Sequence, residues 1–307
     1  MKAAVIGAGH MGRYHAEKLA RLPGVELVAV VDADAARAGA LTQKLGGAAL
    51  ADYRQVFGKA DAAVIAVPTD RHHAIARDCL EHGLHLLIEK PIATTLAEAD
   101  ELITLAEKKH LVLQSGHVER YNKAFRALNA RMDRVVFIEA ERLAAFKQRG
   151  AEVDVVLDLM IHDLDLACAL ARAEPADVSA CGFRVLTRDI DIANARIEFA
   201  NGCVANLSAS RVSQAAVRKL RVFQPDMYVS ADLQAGKLRY VRQNAGTIQE
   251  NEETHEGGDA LADQAAAFVS AVEQKTPAVI DGRQGRRALE LALTVGRLVR
   301  ERLQKFE

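Results

Sequence analysis

The sequence predicts an α/β chain of two domains: a doubly wound parallel sheet at the N-terminus, then an α+β domain on an open, mostly antiparallel sheet. Three observations predict it. Short apolar runs alternate with helix-patterned segments over the first 116 residues. After Asp177 the helical period gives way to successive strand-like runs separated by turns. Two amphipathic segments, Ala260 to Glu273 and Arg286 to Leu303, then close the chain as helices.

The chain opens with an apolar strand through Ile6 that runs into Gly7-Ala8-Gly9-His10-Met11-Gly12, and a helical pattern follows through Leu22. A G-x-G-x-x-G between strand and helix has a physical use at each glycine. Gly7 permits the tight turn, Gly9 lets backbone approach a pyrophosphate, and Gly12 allows close packing of helix on strand. The helix start then offers free N–H groups to the anion. His10 and Met11 lie in the same loop. The second strand, Glu26 to Val31, ends at Asp32, twenty residues after Gly12. An acidic group there bonds the adenosine ribose hydroxyls of NAD and repels the extra phosphate of NADP. Ala33 and Asp34 follow rather than an arginine, so NAD is the expected cofactor. This unit reads as a Rossmann domain spanning residues 1–116.

The strand Ala62 to Val67 ends at Pro68 and Thr69, a segment expected beside the middle of the cofactor together with His72. His73 reads as simple polarity at the start of the helix Ala74 to His82. The apolar run His85 to Ile88 ends in Glu89-Lys90-Pro91. Two charges at a strand end, stopped by proline, suit the carboxyl edge where open α/β sheets bind ligands. Lys90 there can hydrogen-bond a substrate oxygen or move a proton, whereas nothing in the sequence gives Glu89 a task of its own. Thr95 and Glu98 form a capping-box pattern ahead of a helix whose apolar face is Leu96, Ala99, Leu102, Ile103 and Ala106. The strand Leu111 to Ser115 completes the unit.

Composition narrows the function. Half of the 307 residues are hydrophobic, enough for a sizeable core, and the formal net charge of −1 gives no bulk attraction to nucleic acid. The lack of Trp and the low aromatic content argue against a base-stacking surface. No apolar run approaches the roughly 18 residues of a membrane span. Strand one begins at the N-terminus, leaving no room for a signal peptide. Cys79, Cys168, Cys181 and Cys203 are far apart and show no C-x-x-C, as expected for reduced, mostly buried thiols of a cytoplasmic protein.

The second domain, 117–307, carries a polar stripe on an apolar helix. Val153 to Ala171 is strongly apolar yet holds Asp154, Asp158, His162 and Asp165, at i, i+4, i+8 and i+11. Those positions share one helical face. Burying them without partners is costly, so the stripe either faces a cleft or is satisfied within the protein. One turn apart, Asp158 can orient the His162 imidazole and stabilise its protonated form, making His162 a candidate general base. Asp163 lies off this stripe. No third ligand at metal-site spacing accompanies the pair, so no metal is expected. Strand-like runs follow at Val178–Leu186, Ile192–Phe199, Val204–Ser210, Leu220–Phe223, Tyr228–Leu233 and Leu238–Arg242, joined by Val135–Ala140. Asn201-Gly202 marks a hairpin. An antiparallel sheet of this kind has a second face free for a partner subunit.

Together the Gly7–Gly12 loop, Asp32, Pro68 with His72, Glu89-Lys90-Pro91, Asp158-x-x-x-His162 and the tail Val279-Ile280-Asp281-Gly282-Arg283-Gln284-Gly285 resemble the Gfo/Idh/MocA oxidoreductases over essentially the whole chain. The resemblance implies a Rossmann domain plus an open-sheet α/β domain, homodimers or homotetramers through that sheet, and a catalytic group of Lys90, Asp158 and His162. Two longer strings, Gly116 to Asn122 and Leu157 to Asp165, look like a branch of UDP-N-acetylglucosamine 3-dehydrogenases, which serve a route to amide-linked lipid A. That branch implies a nucleotide-sugar substrate near His117, Glu119, Arg120, Tyr121, Asn122 and Arg142, with Arg149 and Arg211 as further cationic partners for its diphosphate. Either Lys90 or His162 can be the base. Two alternatives stay open: a dehydrogenase of another polyol or sugar such as inositol, and a non-catalytic NAD-binding regulator.

Overall fold

The computed structural model describes residues 1–146, 153–244 and 246–306. Contacts divide the chain into two compact units, Met1–Val118 with Asp259–Leu289, and Glu119–Gly258 with the chain from Glu290 on. This corrects the expectation of one uninterrupted second domain over 117–307, because the first unit takes back a C-terminal segment. The reason is apolar surface. Ala265, Phe268, Val269 and Ala271 share one buried cluster with Leu19, Val30, Leu41, Val64 and Leu87.

In the first unit, β1 (Lys2–Ile6), α1 (His10–Leu19), β2 (Glu26–Val31), α2 (Ala35–Leu45), β3 (Ala48–Leu50), β4 (Ala62–Ile65), α3 (His72–Glu81), β5 (His85–Glu89), α4 (Leu96–Lys108) and β6 (Leu113–Gly116) follow in order. The six strands pair in parallel as β3-β2-β1-β4-β5-β6. The order reverses between β1 and β4, the place where doubly wound sheets bind their ligands. β4 is buried along its whole length, as a sheet covered on both faces requires. The capping box at α4 forms as expected. The Glu98 amide donates to the Thr95 hydroxyl at 3.2 Å, and the Glu98 carboxylate accepts from the Thr95 amide at 3.0 Å. The three-residue β3 carries no sequence pattern of its own.

The second unit begins with α5 (Lys123–Arg131) and β7 (Phe137–Leu143). The expected helix over Val153–Ala171 is a π-helical turn, Val156–Met160, leading into α6 (Ile161–Ala171). Then come β8 (Pro175–Phe183), β9 (Ile192–Phe199), β10 (Val204–Ser210), β11 (Val217–Gln224), β12 (Met227–Asp232), β13 (Lys237–Asn244) and β14 (Thr247–Thr254). They form an eight-stranded sheet, β14-β13-β12-β11-β7-β10-β9-β8, antiparallel except for the β7–β10 pair. Burial alternates along β9, so one face of the sheet is covered and the other open. β14 carries no apolar alternation because it is an exposed edge strand. The helices α7 (Ala260–Gln274) and α8 (Gly282–Leu303) close the chain.

Among the described residues no helix is long and apolar enough to cross a membrane. Cys79, Cys168 and Cys203 are buried, and burial pushes the Cys79 thiol up to about 12.

Candidate functional site

The glycine loop is shaped by what a Cβ would meet. Gly7 has φ +102°, and a Cβ there would lie 2.4 Å from the Ala66 carbonyl oxygen. At Gly12 a Cβ would lie 1.7 Å from the Gly7 carbonyl oxygen. The helix therefore packs on the loop itself as well as on the strand. Gly9, by contrast, has open space where a side chain would be. No side chain caps α1 and its first turn holds no acidic residue, so its amide groups and positive dipole end stay available to an anion. Asp32 braces this loop. One carboxylate oxygen accepts from the Ala8 amide at 2.7 Å and the other from the Asp34 amide at 2.8 Å. Each oxygen keeps a further lone pair for a ribose hydroxyl.

Gly7, Gly9, Asp32 and Pro68 line a cavity of about 900 Å³. Two arginines that the sequence reading passes over, Arg37 and Arg54, also line it. Acidic neighbours engage both, Asp34 holding Arg37 at 3.0 Å and Asp78 holding Arg54 at 3.3 Å. Arg37 lies one turn into α2, too far along the chain for a reading confined to the residues after Asp32. These residues fit an NAD adenosine half: an anion-binding loop, a braced carboxylate and a cavity between them.

Beyond Pro68, the His72 ring meets groups of the protein itself. Its side chain is buried, and its Nδ1 and Nε2 lie 2.9 Å from the Pro91 and Val67 carbonyl oxygens. Neither ring nitrogen is left for a cofactor. Both carbonyls can be satisfied at once only by a doubly protonated ring, yet burial opposes that charge more strongly and holds His72 below the ordinary histidine range. His73 pairs with Glu101 at 2.8 Å on the surface, as expected of helix-start polarity.

Glu89 acquires the task that the sequence does not show. It is buried, and one oxygen meets His15 Nε2 at 2.6 Å. The other accepts from the Lys90 amide at 3.3 Å. Burial pushes its carboxyl up, but the His15 hydrogen bond and the charges of His15 and Lys90 outweigh that and hold it below the usual range. Glu89 is thus a buried partner of α1 through His15. Lys90 itself is half-buried, and its peptide bond to Pro91 is cis.

Several expected substrate contacts in the second unit are likewise used within the protein. The Arg142 guanidinium is buried, gripping Asp163 through two bonds of 2.9 and 2.8 Å and Glu119 at 3.0 Å. Burial disfavours its charge, yet the two carboxylates more than offset this and hold Arg142 above its usual range. Arg218 joins Glu119 at 3.1 Å. Arg142 and Glu119 thus belong to a buried ionic network with Asp163 and Arg218. Asn122 caps α5, accepting from the Ala124 and Phe125 amides at 3.0 and 3.3 Å, and donates to the Leu233 carbonyl at 2.9 Å. In the first unit, the His117 side chain is fully buried. Arg120 approaches Asp165 at 3.8 Å. The Tyr121 hydroxyl is buried without a hydrogen-bond partner, and burial pushes it up to about 12. Arg211 bonds the Val153 carbonyl and pairs with Asp191 at 3.8 Å. Arg149 lies outside the described residues.

The polar stripe divides in the same way. Asp154 caps the π-helical turn, accepting from Val156 and Leu157 at 3.0 and 2.9 Å, and holds Arg300 at 3.1 Å. Asp158 lies within the turn, whereas His162 sits at the start of α6, and both are half-buried. A π-helical turn widens the repeat, so the 3.6-residue spacing that aligned these side chains on one face does not hold there. Such turns occur often at functional sites. Among the described residues no group of three metal-ligating side chains could hold an ion.

Residues 1–117 match the family described as an oxidoreductase family with an NAD-binding Rossmann fold, and residues 126–225 match the GFO/IDH/MocA C-terminal domain. The chain belongs to the Gfo/Idh/MocA family. It is an NAD-dependent oxidoreductase. It is 39% identical to a UDP-N-acetylglucosamine 3-dehydrogenase of Acidithiobacillus ferrooxidans, covering 99% of each chain. A solved structure of that enzyme covers 97% of each chain with a TM-score of 0.93. A second relative, scyllo-inositol 2-dehydrogenase (NAD(+)) of Bacillus subtilis, is 29% identical over 69% of this chain and 68% of its own. The scyllo-inositol dehydrogenase of Lactobacillus casei, solved with NAD(H) and scyllo-inositol, shares the fold at 18% identity, 98% and 97% coverage and a TM-score of 0.85.

Proposed function

We propose that this chain oxidises the 3-hydroxyl of UDP-N-acetylglucosamine to the 3-keto sugar. The observation that carries the reading is the match along nearly the whole chain to a 3-dehydrogenase of that nucleotide sugar, in sequence and in fold. The presence of Lys90, Asp158 and His162 supports it. NAD, when bound, supplies the hydride acceptor. Lys90 donates a hydrogen bond to the reacting oxygen and stabilises the alkoxide charge that develops there. His162 takes the hydroxyl proton, and Asp158 orients its ring. Arg120, whose nearest carboxylate lies 3.8 Å away, is the cation we assign to the substrate's diphosphate. The 3-keto product suits an aminotransferase, and this chemistry supports the proposal that the reaction serves a cytoplasmic route to amide-linked lipid A. The open face of the eight-stranded sheet, with Phe137, Phe223 and Tyr228 clustered at ring distances of 5.7 and 4.7 Å, is the surface through which the chain pairs into dimers or tetramers.

The test is to add NAD and UDP-N-acetylglucosamine to the purified protein and follow NADH absorbance. NADH formation supports the reading, and substitution of Lys90→Met or His162→Ala then lowers kcat by about 10²- to 10³-fold. Turnover of inositol or a free aldose but not of the nucleotide sugar replaces the substrate. Tight NAD binding without turnover on any sugar makes the chain a regulator. Full activity in both variants removes the mechanism.

A further inference from the structure

Lys90 has a buried histidine on each side of it. Before it, Glu89 is held by His15, which is fully buried on α1, one turn after the glycine loop. After it, the Pro91 carbonyl is held by His72, whose other nitrogen meets Val67 at the end of β4. Neither imidazole is needed to cap a helix or pair a strand. Burying two such rings and a carboxylate is costly unless each has a partner, and here the partners are the residues flanking the lysine.

The carboxylate is also the charge that Lys90 sees. One Glu89 oxygen bonds the Lys90 amide, and the carboxylate interacts electrostatically with the lysine side chain. Titratable groups from three elements act on it: His15 on α1, His72 at the start of α3, and Lys90 following β5. From β6 it faces a glycine. A Cβ at Gly116 would lie 3.2 Å from the Glu89 carboxylate and 2.8 Å from its Cα. The space around the carboxylate is thus closed on the strand side and filled by histidine on the helix side.

We propose that His15, Glu89 and His72 are positioning residues for Lys90: the two imidazoles fix its neighbours, and the carboxylate fixes where the lysine stands and which charge it faces. The consequence for catalysis rests on the reading of Lys90 as the group that meets the reacting oxygen.

Two measurements on the full-length protein test this. The first is competitive labelling of lysines with trace acetic anhydride across pH, read peptide by peptide by mass spectrometry in wild type, Glu89→Gln, His15→Leu and His15→Gln. The Lys90 profile is expected to shift in Glu89→Gln and His15→Leu while those of Lys2 and Lys109 stay put. His15→Gln, which keeps a donor toward Glu89, restores it. The second is kinetic. In the two disruptive variants kcat falls about 10- to 100-fold, the cost of misplacing a reacting group by about an ångström. The NAD Kd stays within about threefold, and the isotope effect from deuterium at the oxidised carbon grows. An unmoved Lys90 profile in a folded Glu89→Gln variant overturns the proposal, as does an equal loss in His15→Leu and His15→Gln. A wild-type protein that oxidises no sugar or polyol removes the proposed function alone, and the labelling profile still decides the positioning role.

Discussion

The dinucleotide edge of the first unit and the polar stripe of the second both announce themselves as motifs, but they use their residues differently. At the dinucleotide edge the signal is backbone: glycines without room for a Cβ, an uncapped helix start and a carboxylate at a strand end. These leave donors open to a ligand. In the stripe and the residues before it the signal is polar side chains, and the protein consumes most of them. Asp154 caps a turn, Asn122 caps a helix, and Arg142 is locked between Asp163 and Glu119. A motif built on backbone conformation survives folding with its function visible, whereas a polar side chain has many ways to be satisfied internally.

The sharpest test of that contrast is Arg142→Met. Removing Arg142 takes the guanidinium from buried Asp163 and leaves Glu119 only its Arg218 pairing, and is expected to destabilise the second unit by ~3–5 kcal/mol, read as a lower denaturation midpoint. The further change Asp163→Asn should recover part of the loss. A variant of unchanged stability but raised substrate KM would break the comparison and return Arg142 to the ligand. At the dinucleotide edge, Asp32→Asn removes the charge while keeping the side chain's size. NAD affinity should fall on the order of tenfold and NADP should begin to compete, measured by titrating both cofactors. Loss of folding instead would mean that bracing Ala8 is the main task of Asp32.

A pH series tests the buried histidine and glutamate. His72 is held below its ordinary value of 6.5 by burial, so the stability it contributes is present above that value and lost as pH falls below it. Glu89 is held below 4.5 despite burial, because His15 and Lys90 favour the carboxylate, so its contribution is lost further down the acid side. The Tm should fall in two stages on acidification, and Glu89→Gln should flatten the lower one. The smallest effect is at the α4 cap. Thr95→Ala should cost ~1 kcal/mol with kinetics untouched.

The sequence carries the Rossmann half well. Its strands alternate with helices, and the capping box at Thr95 appears where the pattern puts it. The β9 and β10 strands begin and end at the expected residues because one face of each is buried. β14 was not legible, since an exposed edge strand needs no apolar alternation. The partner of Glu89 was out of reach for another reason. His15 and Glu89 are far apart in sequence, and only the packing of α1 against the sheet brings them together. The π-helical turn at Val156–Met160 falls inside the stripe, and no pattern in the sequence marks where a helix widens its repeat.

The return of Asp259–Leu289 to the first unit bears on how the polypeptide is made. Synthesis runs from the N-terminus, and domains generally fold as they emerge. Here the nascent Rossmann sheet leaves the ribosome without α7, so Leu19, Val30 and Leu87 lack their Phe268 and Val269 neighbours until almost the whole chain has been translated. A fragment ending near residue 116 should therefore bind hydrophobic dyes and lean on chaperones. Adding residues 259–289 in trans should relieve both.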